Sequence, residues 1–143
     1  MNEHAAAIEI QVPFFDVDSM RIAWHGHYVK YFELARCRLL EQLGHDYDAM
    51  FDSGYAWPIV DIRIRYMRPL RFNQKIRVIA TLTHWTHQLK ITYRIRDIDS
   101  GASLSRGHTL QAPVDMHTGK MLFEQPLAVT RALTRAGITE AGS

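Results

Sequence analysis

Five stretches of this chain alternate apolar and polar residues, yet only one long helical pattern is available to cover them. That imbalance limits the fold more than any other feature. Ile8, Ile10, Val12 and Phe14 alternate with Glu9 and Gln11. Val60, Ile62, Ile64 and Tyr66 alternate with Asp61, Arg63 and Arg65, and Ile76, Val78, Ala80 and Leu82 repeat the pattern. Leu89, Ile91, Tyr93 and Ile95 alternate with Lys90, Thr92, Arg94 and Arg96. Leu104 to Val114 is a less regular fifth run, with Gly107 as an expected bulge. A period of two marks half-buried strands. Between His27 and Leu43 the period changes: Tyr28, Phe32, Ala35, Leu39 and Leu43 fall at helical spacing, and Tyr31, Leu34 and Leu40 widen the apolar surface. Lys30–Glu33 and Glu33–Arg36 are expected i,i+3 pairs, and Gly44 is a natural stop.

"RPLRFNQ", "HWTHQ" and "DIDSGAS" are turns between successive strands, so the later runs form an antiparallel meander. Each strand has one apolar face that must be covered, and the Tyr28–Leu43 helix is the large element available. The expected class is α+β, a curved antiparallel sheet wrapped around one long central helix. Periodicity alone also admits other β-α-β-β-β arrangements, such as a cystatin-like sheet. Lesser expected elements are a short helix within His45–Gly54, a short strand at Met121–Phe123 and a terminal helix over Gln125–Ala136. The chain reads as a single domain, 1–143, with a core spanning about 8–124 and a tail that frays after about 137.

Charge and cysteine content narrow the classes further. The net charge of +2 makes no demand for a nucleic-acid partner. Yet ten Lys and Arg against three acids lie between Val60 and Gly107, a locally basic surface suited either to solvent or to an anionic ligand. One cysteine, Cys37, excludes an internal disulfide. "MNEHAAAIEI" has no basic segment followed by an apolar stretch, and no window is long and apolar enough to span a bilayer. The expectation is a cytoplasmic protein that does not insert into membranes.

The chemistry concentrates at one junction, "DVDSMRIAWHGHY", residues 16–28. Asp16, Asp18 and Ser19 suit a turn, and chain reversal alone explains part of the pattern. Three features point further. A helix N-terminus offers unpaired N–H groups and partial positive charge, which polarise a carbonyl and stabilise an oxyanion. Asp18 lies a few residues before it, as a nucleophile or as the base for a water. Gly26 has no Cβ, so a ligand carbonyl can approach the backbone. Asp16 reads as a structural residue that fixes the loop. His25-Gly26-His27 and the aspartates are metal-ligand types, but neighbouring donors at a helix start need not converge, and no metal site is expected.

"FFDVDSMRIAWHGHYVKYFELAR" resembles the signature of the 4-hydroxybenzoyl-CoA thioesterase/YbgC-like group of the hotdog-fold superfamily, through Asp16-Val17-Asp18, Trp24-His25, Tyr28 and Glu33-Leu34-Ala35-Arg36. "WPIVDIRIRYMRPLRFNQ" is similar to the group's second strand and its Tyr-x-x-Pro turn, through Pro58, Tyr66, Pro69 and Leu70. The likeness covers residues 8–112, and Trp-His-Gly looks closest to thioesterases of aryl-polyene pathways. The resemblance implies a hotdog fold and a homodimer assembled into a tetramer. It implies acyl-CoA or acyl carrier protein thioester hydrolysis, with no cofactor beyond the coenzyme A or phosphopantetheine of the substrate. It places catalysis on Asp18 and on the amides of His25 and Gly26. Trp24, Tyr28 and Trp57 become candidates for the acyl pocket, with core or dimer packing as the alternative for Trp57 and Tyr28, and Arg65, Lys90 and Arg94 become candidates for the phosphates of the carrier.

The chain departs from the group at Ser19-Met20-Arg21, where small residues, commonly glycine, follow the aspartate; at His27, where asparagine is usual; and at Asn73-Gln74. Two rivals follow. The altered linker suits a non-catalytic acyl-thioester binder. His27 with Glu33 loosely imitates the pair of a hydroxyacyl-thioester dehydratase.

Overall fold

The computed structural model describes residues 4–122 together with Arg131, Thr134 and Arg135. Phe123, most of the expected terminal helix and the tail lie outside the described residues. Strand β1 is Ala5–Gln11. It starts three residues earlier than the alternation suggests, with Ala5 and Ala6 buried. It stops before Phe14 because Pro13 has no N–H for the ladder. A 3-10 turn, Phe14–Asp16, follows, and Phe14 is exposed instead of facing the core.

Helix α1 is His27–Gln42 and α2 is Tyr47–Ser53. Asp46 caps α2 by accepting from the Ala49 N–H at 2.9 Å, and Gly54 ends it at φ 83°. The remaining strands are β2 (Tyr55–Ala56), β3 (Ile59–Tyr66), β4 (Lys75–His84), β5 (Leu89–Asp97), β6 (Ser103–Gln111) and β7 (Val114–Asp115). The main sheet has the order β1-β4-β5-β6-β3, antiparallel throughout, and β2 pairs with β7. The expected run to Val114 is therefore split: β6 ends at Gln111, and β7 leaves the main sheet just past Pro113.

Helix α1 buries Tyr28, Tyr31, Phe32, Ala35, Leu39 and Leu40 against the sheet, where they meet Val78, Ala80, Ile91, Tyr93 and Ile95. Phe32 stacks on Tyr93 with ring centroids 4.3 Å apart. The expected Lys30–Glu33 pair gives way to Lys30–Asp16, whereas Glu33–Arg36 forms. No described helix is long and apolar enough to cross a membrane.

Gly107 is not a bulge. It pairs regularly with Tyr93 on β5 and Ile64 on β3, and the register shifts lie elsewhere. Glycine is required there because a Cβ would sit 2.2 Å from the Arg63 carbonyl oxygen and 2.9 Å from the Phe32 ring. The Gly107→Ala variant is expected to lose about 1–3 kcal/mol of stability, the range for overpacking. Chemical denaturation checks it, and an unchanged midpoint would contradict the crowding.

Candidate active site

The junction folds as a small hairpin clamped between α1 and the segment after β3. Asp18 donates its N–H to the Ile22 carbonyl at 3.0 Å, and Arg21 donates to the Asp18 carbonyl at 2.9 Å. Val17 bridges Ala23, and Ile22 bridges Arg71. The Ala23 N–H reaches the Leu70 carbonyl at 2.7 Å. Arg21 closes the hairpin at φ 63°. This is the left-handed region that favours glycine, and a bulky residue there costs on the order of 1 kcal/mol. The departure from small residues at this linker thus carries a backbone cost.

Asp16 ties the hairpin to α1. Its side chain is buried, and both carboxylate oxygens accept from Lys30 Nζ at 2.6 Å. Oδ2 also accepts from the Tyr31 hydroxyl at 2.7 Å, and His27 Nε2 lies 3.8 Å from Oδ1. Burial pushes the Asp16 carboxyl up, but hydrogen bonds from Lys30 and Tyr31, with the Lys30 and His27 charges, outweigh it and hold it below the usual value. The Asp16 backbone carbonyl accepts the Trp24 N–H at 3.0 Å, so one residue holds both arms of the hairpin. Its expected loop-fixing role is what the geometry shows.

Asp18 is exposed, and its Oδ1 accepts the Met20 N–H at 2.8 Å, which fixes the carboxylate at the hairpin tip. It lines a cleft of about 430 Å³ with Ile22, Ala23, Trp24, His25, Tyr28, Tyr66, Met67, Arg68 and Pro69. Four of the sequence-predicted residues, Asp18, Trp24, His25 and Tyr28, therefore meet in one place.

Gly26 is the N-cap of α1 and receives no side-chain cap. Among the described residues, the amides of His25 and Gly26 donate to no protein acceptor. The space left by the missing Cβ of Gly26 holds the chain's own Trp24 ring, which would lie 2.1 Å from a Cβ, so glycine here lets the indole pack against the helix start.

Tyr66 was not singled out for the site, although the Tyr-x-x-Pro turn marks it. Its hydroxyl donates to the His25 carbonyl at 2.7 Å, and its ring packs edge-on against Tyr28 and His25. The Tyr28 hydroxyl in turn accepts the Leu70 N–H at 3.3 Å. Burial pushes both phenols up, so both remain neutral near pH 7. Tyr66 thus orients the peptide that precedes the helix. The Tyr66→Phe variant is expected to reduce turnover about fivefold, the value of one net hydrogen bond, with little change in KM. Steady-state kinetics test this, and a pure KM effect would contradict it.

The other predicted residues lie elsewhere. Trp57 is buried behind β2, edge-on to His45 at 5.8 Å, and does not line the cleft. Arg65 and Arg94 line a separate hollow of about 440 Å³ with Arg63 and Arg106, and Lys90 sits further along β5. His27 and Glu33, six residues apart on a helix, lie about 120° apart around its axis. His27 turns toward Asp16 and Glu33 toward Arg36. Among the described residues, no group of three His, Cys, Asp or Glu side chains gathers around a common point.

A family model described as "Thioesterase-like superfamily" matches residues 12–135. The chain belongs to the thioesterase-like superfamily. Bacillus subtilis YneP, provisionally named an acyl-CoA thioesterase, is 35% identical over 71 residues, half of this chain and 51% of YneP. The chain thus spans about half the length of that relative. A Synechocystis protein, sll0410, provisionally named an esterase, is 25% identical over 130 residues, 90% of this chain and 78% of that protein. Among solved structures, a 1,4-dihydroxy-2-naphthoyl-CoA thioesterase from Synechocystis superposes with a TM-score of 0.80 at 20% identity, covering 91% of this chain and 96% of that one. A 4-hydroxybenzoyl CoA thioesterase mutant complexed with 4-hydroxybenzoyl CoA gives 0.78 at 12% identity, covering 90% and 98%. The thioesterase-like chain has the hotdog fold of these neighbours, with α1 held by the curved sheet.

Proposed function

We propose that this chain hydrolyses acyl thioesters. The observation that carries the reading is the meeting of a carboxylate, Asp18, with the uncapped start of α1 in one cleft. The thioester carbonyl would lie against the unclaimed amides of His25 and Gly26. Asp18 then either takes a proton from an attacking water, or attacks directly to form an acyl-aspartyl anhydride that water hydrolyses to regenerate the carboxylate. The thiol of coenzyme A or of phosphopantetheine leaves, and a carboxylic acid remains. Trp24 and Tyr28 supply apolar walls for the acyl part. Family membership supports the reaction class, and the coenzyme A thioesterases among the structural neighbours support the substrate class.

The reading includes a second copy of the chain. Among the described residues β3 ends the sheet with an unpaired edge, and Val60, Ile62 and Tyr66 are exposed along it. An exposed apolar edge favours pairing with another strand. Isologous pairing of β3 would join two sheets and place two clefts near the shared edge.

The decisive experiment follows thiol release from aromatic, short and long acyl-CoA substrates, with products identified by mass. Stoichiometric free thiol and acid are expected. Saturable binding with no thiol released would favour the binder, and an enoyl product with the thioester intact would favour the dehydratase.

A further inference from the structure

The face of the main sheet turned away from α1 carries a second feature that hydrolysis does not use. Arg106 on β6 stands opposite Arg94 on β5 and Arg65 on β3, so three arginines form one row across three strands. Strands lie about 4.8 Å apart, which makes the row about 10 Å wide. Arg63 sits two residues along β3 on the same face, beside His108. All four arginines are exposed, and with Thr92 and His108 they line the hollow of about 440 Å³. Asp61, on the same strand as Arg63, lies 3.5 Å from His108, and Glu9 on β1 binds Arg77 at 2.8 Å. Among the described residues, none of the four arginines has a carboxylate partner. Like charges directly opposite in a sheet repel, so an opposing anion would relieve the repulsion along the row.

We infer that this face docks an acidic helix of the protein that carries the acyl group, an inference that rests on the hydrolase reading above. The basic surface is broader than one phosphate, because Lys90 and Arg96 extend it along β5. Carboxylates at i and i+3 or i+4 of a helix lie about 5–6 Å apart, close to the spacing of arginines on adjacent strands. A second copy of this chain would bring arginine onto arginine. Single-stranded nucleic acid is less favoured because the outward face of β3, β5 and β6 offers a single ring, that of His108, and no row of aromatic side chains on which successive bases could stack. The two sites share a strand. Arg65 faces outward, the next residue, Tyr66, faces the cleft, and Met67 to Pro69 continue its wall. A prosthetic arm from a carrier seated on the arginines reaches Asp18 around this end of β3.

The test compares wild type with Arg106→Glu on one octanoyl group attached to a bacterial acyl carrier protein, to coenzyme A or to N-acetylcysteamine. Arg106 is exposed and outside the cleft, and N-acetylcysteamine ester turnover serves as the control for folding. For the carrier thioester, kcat/KM is expected to fall about tenfold or more and to lose much of its salt dependence, as for charge pairs at a docking surface. Turnover of the N-acetylcysteamine ester should be unchanged and that of the coenzyme A ester nearly so. Anisotropy of labelled octanoyl-carrier gives the same answer as a weakened Kd. If the charge reversal impairs folding, Arg106→Gln replaces it. An equal loss with coenzyme A would mean that the arginines hold nucleotide phosphates, and an unaffected carrier would remove the dock. Tighter binding of an RNA oligonucleotide or of anionic lipid vesicles than of the carrier would also overturn the inference. If wild type released thiol from none of the three, the hydrolase reading would fail on its own, and the anisotropy titration would still decide the docking.

Discussion

Replacing Asp18 with asparagine is expected to lower kcat for thioester hydrolysis by about a hundredfold or more, the usual contribution of a positioned base or nucleophile. The substitution is well matched to the site. Asparagine keeps an oxygen at Oδ1, so the acceptor for the Met20 N–H is retained. The side chain is exposed, and the change in stability should stay within about 0.5 kcal/mol. Ligand affinity should survive as well, because the amides of His25 and Gly26 belong to the backbone. His25→Ala provides the contrast: it retains the amide and removes the ring, so turnover should change no more than about threefold if the backbone donor is what matters. Thiol release by Asp18→Asn at the wild-type rate would take the aspartate out of the reaction. A loss of substrate binding would instead make it a docking group.

The sequence made the architecture legible because the two periods are clean and local. Alternation in β4 and β5 and the helical spacing from Tyr28 to Leu43 report which face each element buries, and burial follows that pattern, whereas on the edge strand β3 Val60, Ile62 and Tyr66 are exposed, as is Leu34 on the helix. The junction was legible for the same local reason: Asp18, Trp24, His25 and Tyr28 are close in sequence, and the hairpin keeps them close in space. Long-range placement was not. Trp57 and the Asp18 cleft belong to different parts of the fold, and no spacing rule relates them. Tyr66 reaches His25 across 41 positions, a contact that only the sheet creates. Gly107 was expected to bend its strand, whereas it makes room for the Arg63 carbonyl and Phe32. Lys30 left its helical neighbour for Asp16, because a buried carboxylate needs a counter-charge more than an exposed helix pair does.

The buried carboxylate yields the second large expected effect. Asp16→Ala should cost about 2 kcal/mol of stability, mainly because the buried Tyr31 hydroxyl loses its acceptor. Lys30 contributes less to this cost, since its side chain is 44% exposed and can return to water. Turnover should fall about tenfold or more, with KM changed less, because the hairpin that carries Asp18 is no longer pinned to the helix that carries the amides. Acid provides an independent check. The Asp16 carboxyl sits below its unfolded value of 3.8 in the fold, so ionisation stabilises the native state above that pH. As the pH drops below 3.8 and through the lower native value, the folded protein takes up the proton and this stabilisation is lost. The stability gap between wild type and Asp16→Ala, measured by urea denaturation, should therefore be widest near neutrality and shrink below about pH 4. What remains in acid is the Tyr31 hydrogen bond to the protonated acid. A gap that stays constant from neutral pH into that acid range would show that Asp16 acts by size and packing, and not as the charged pin between hairpin and helix.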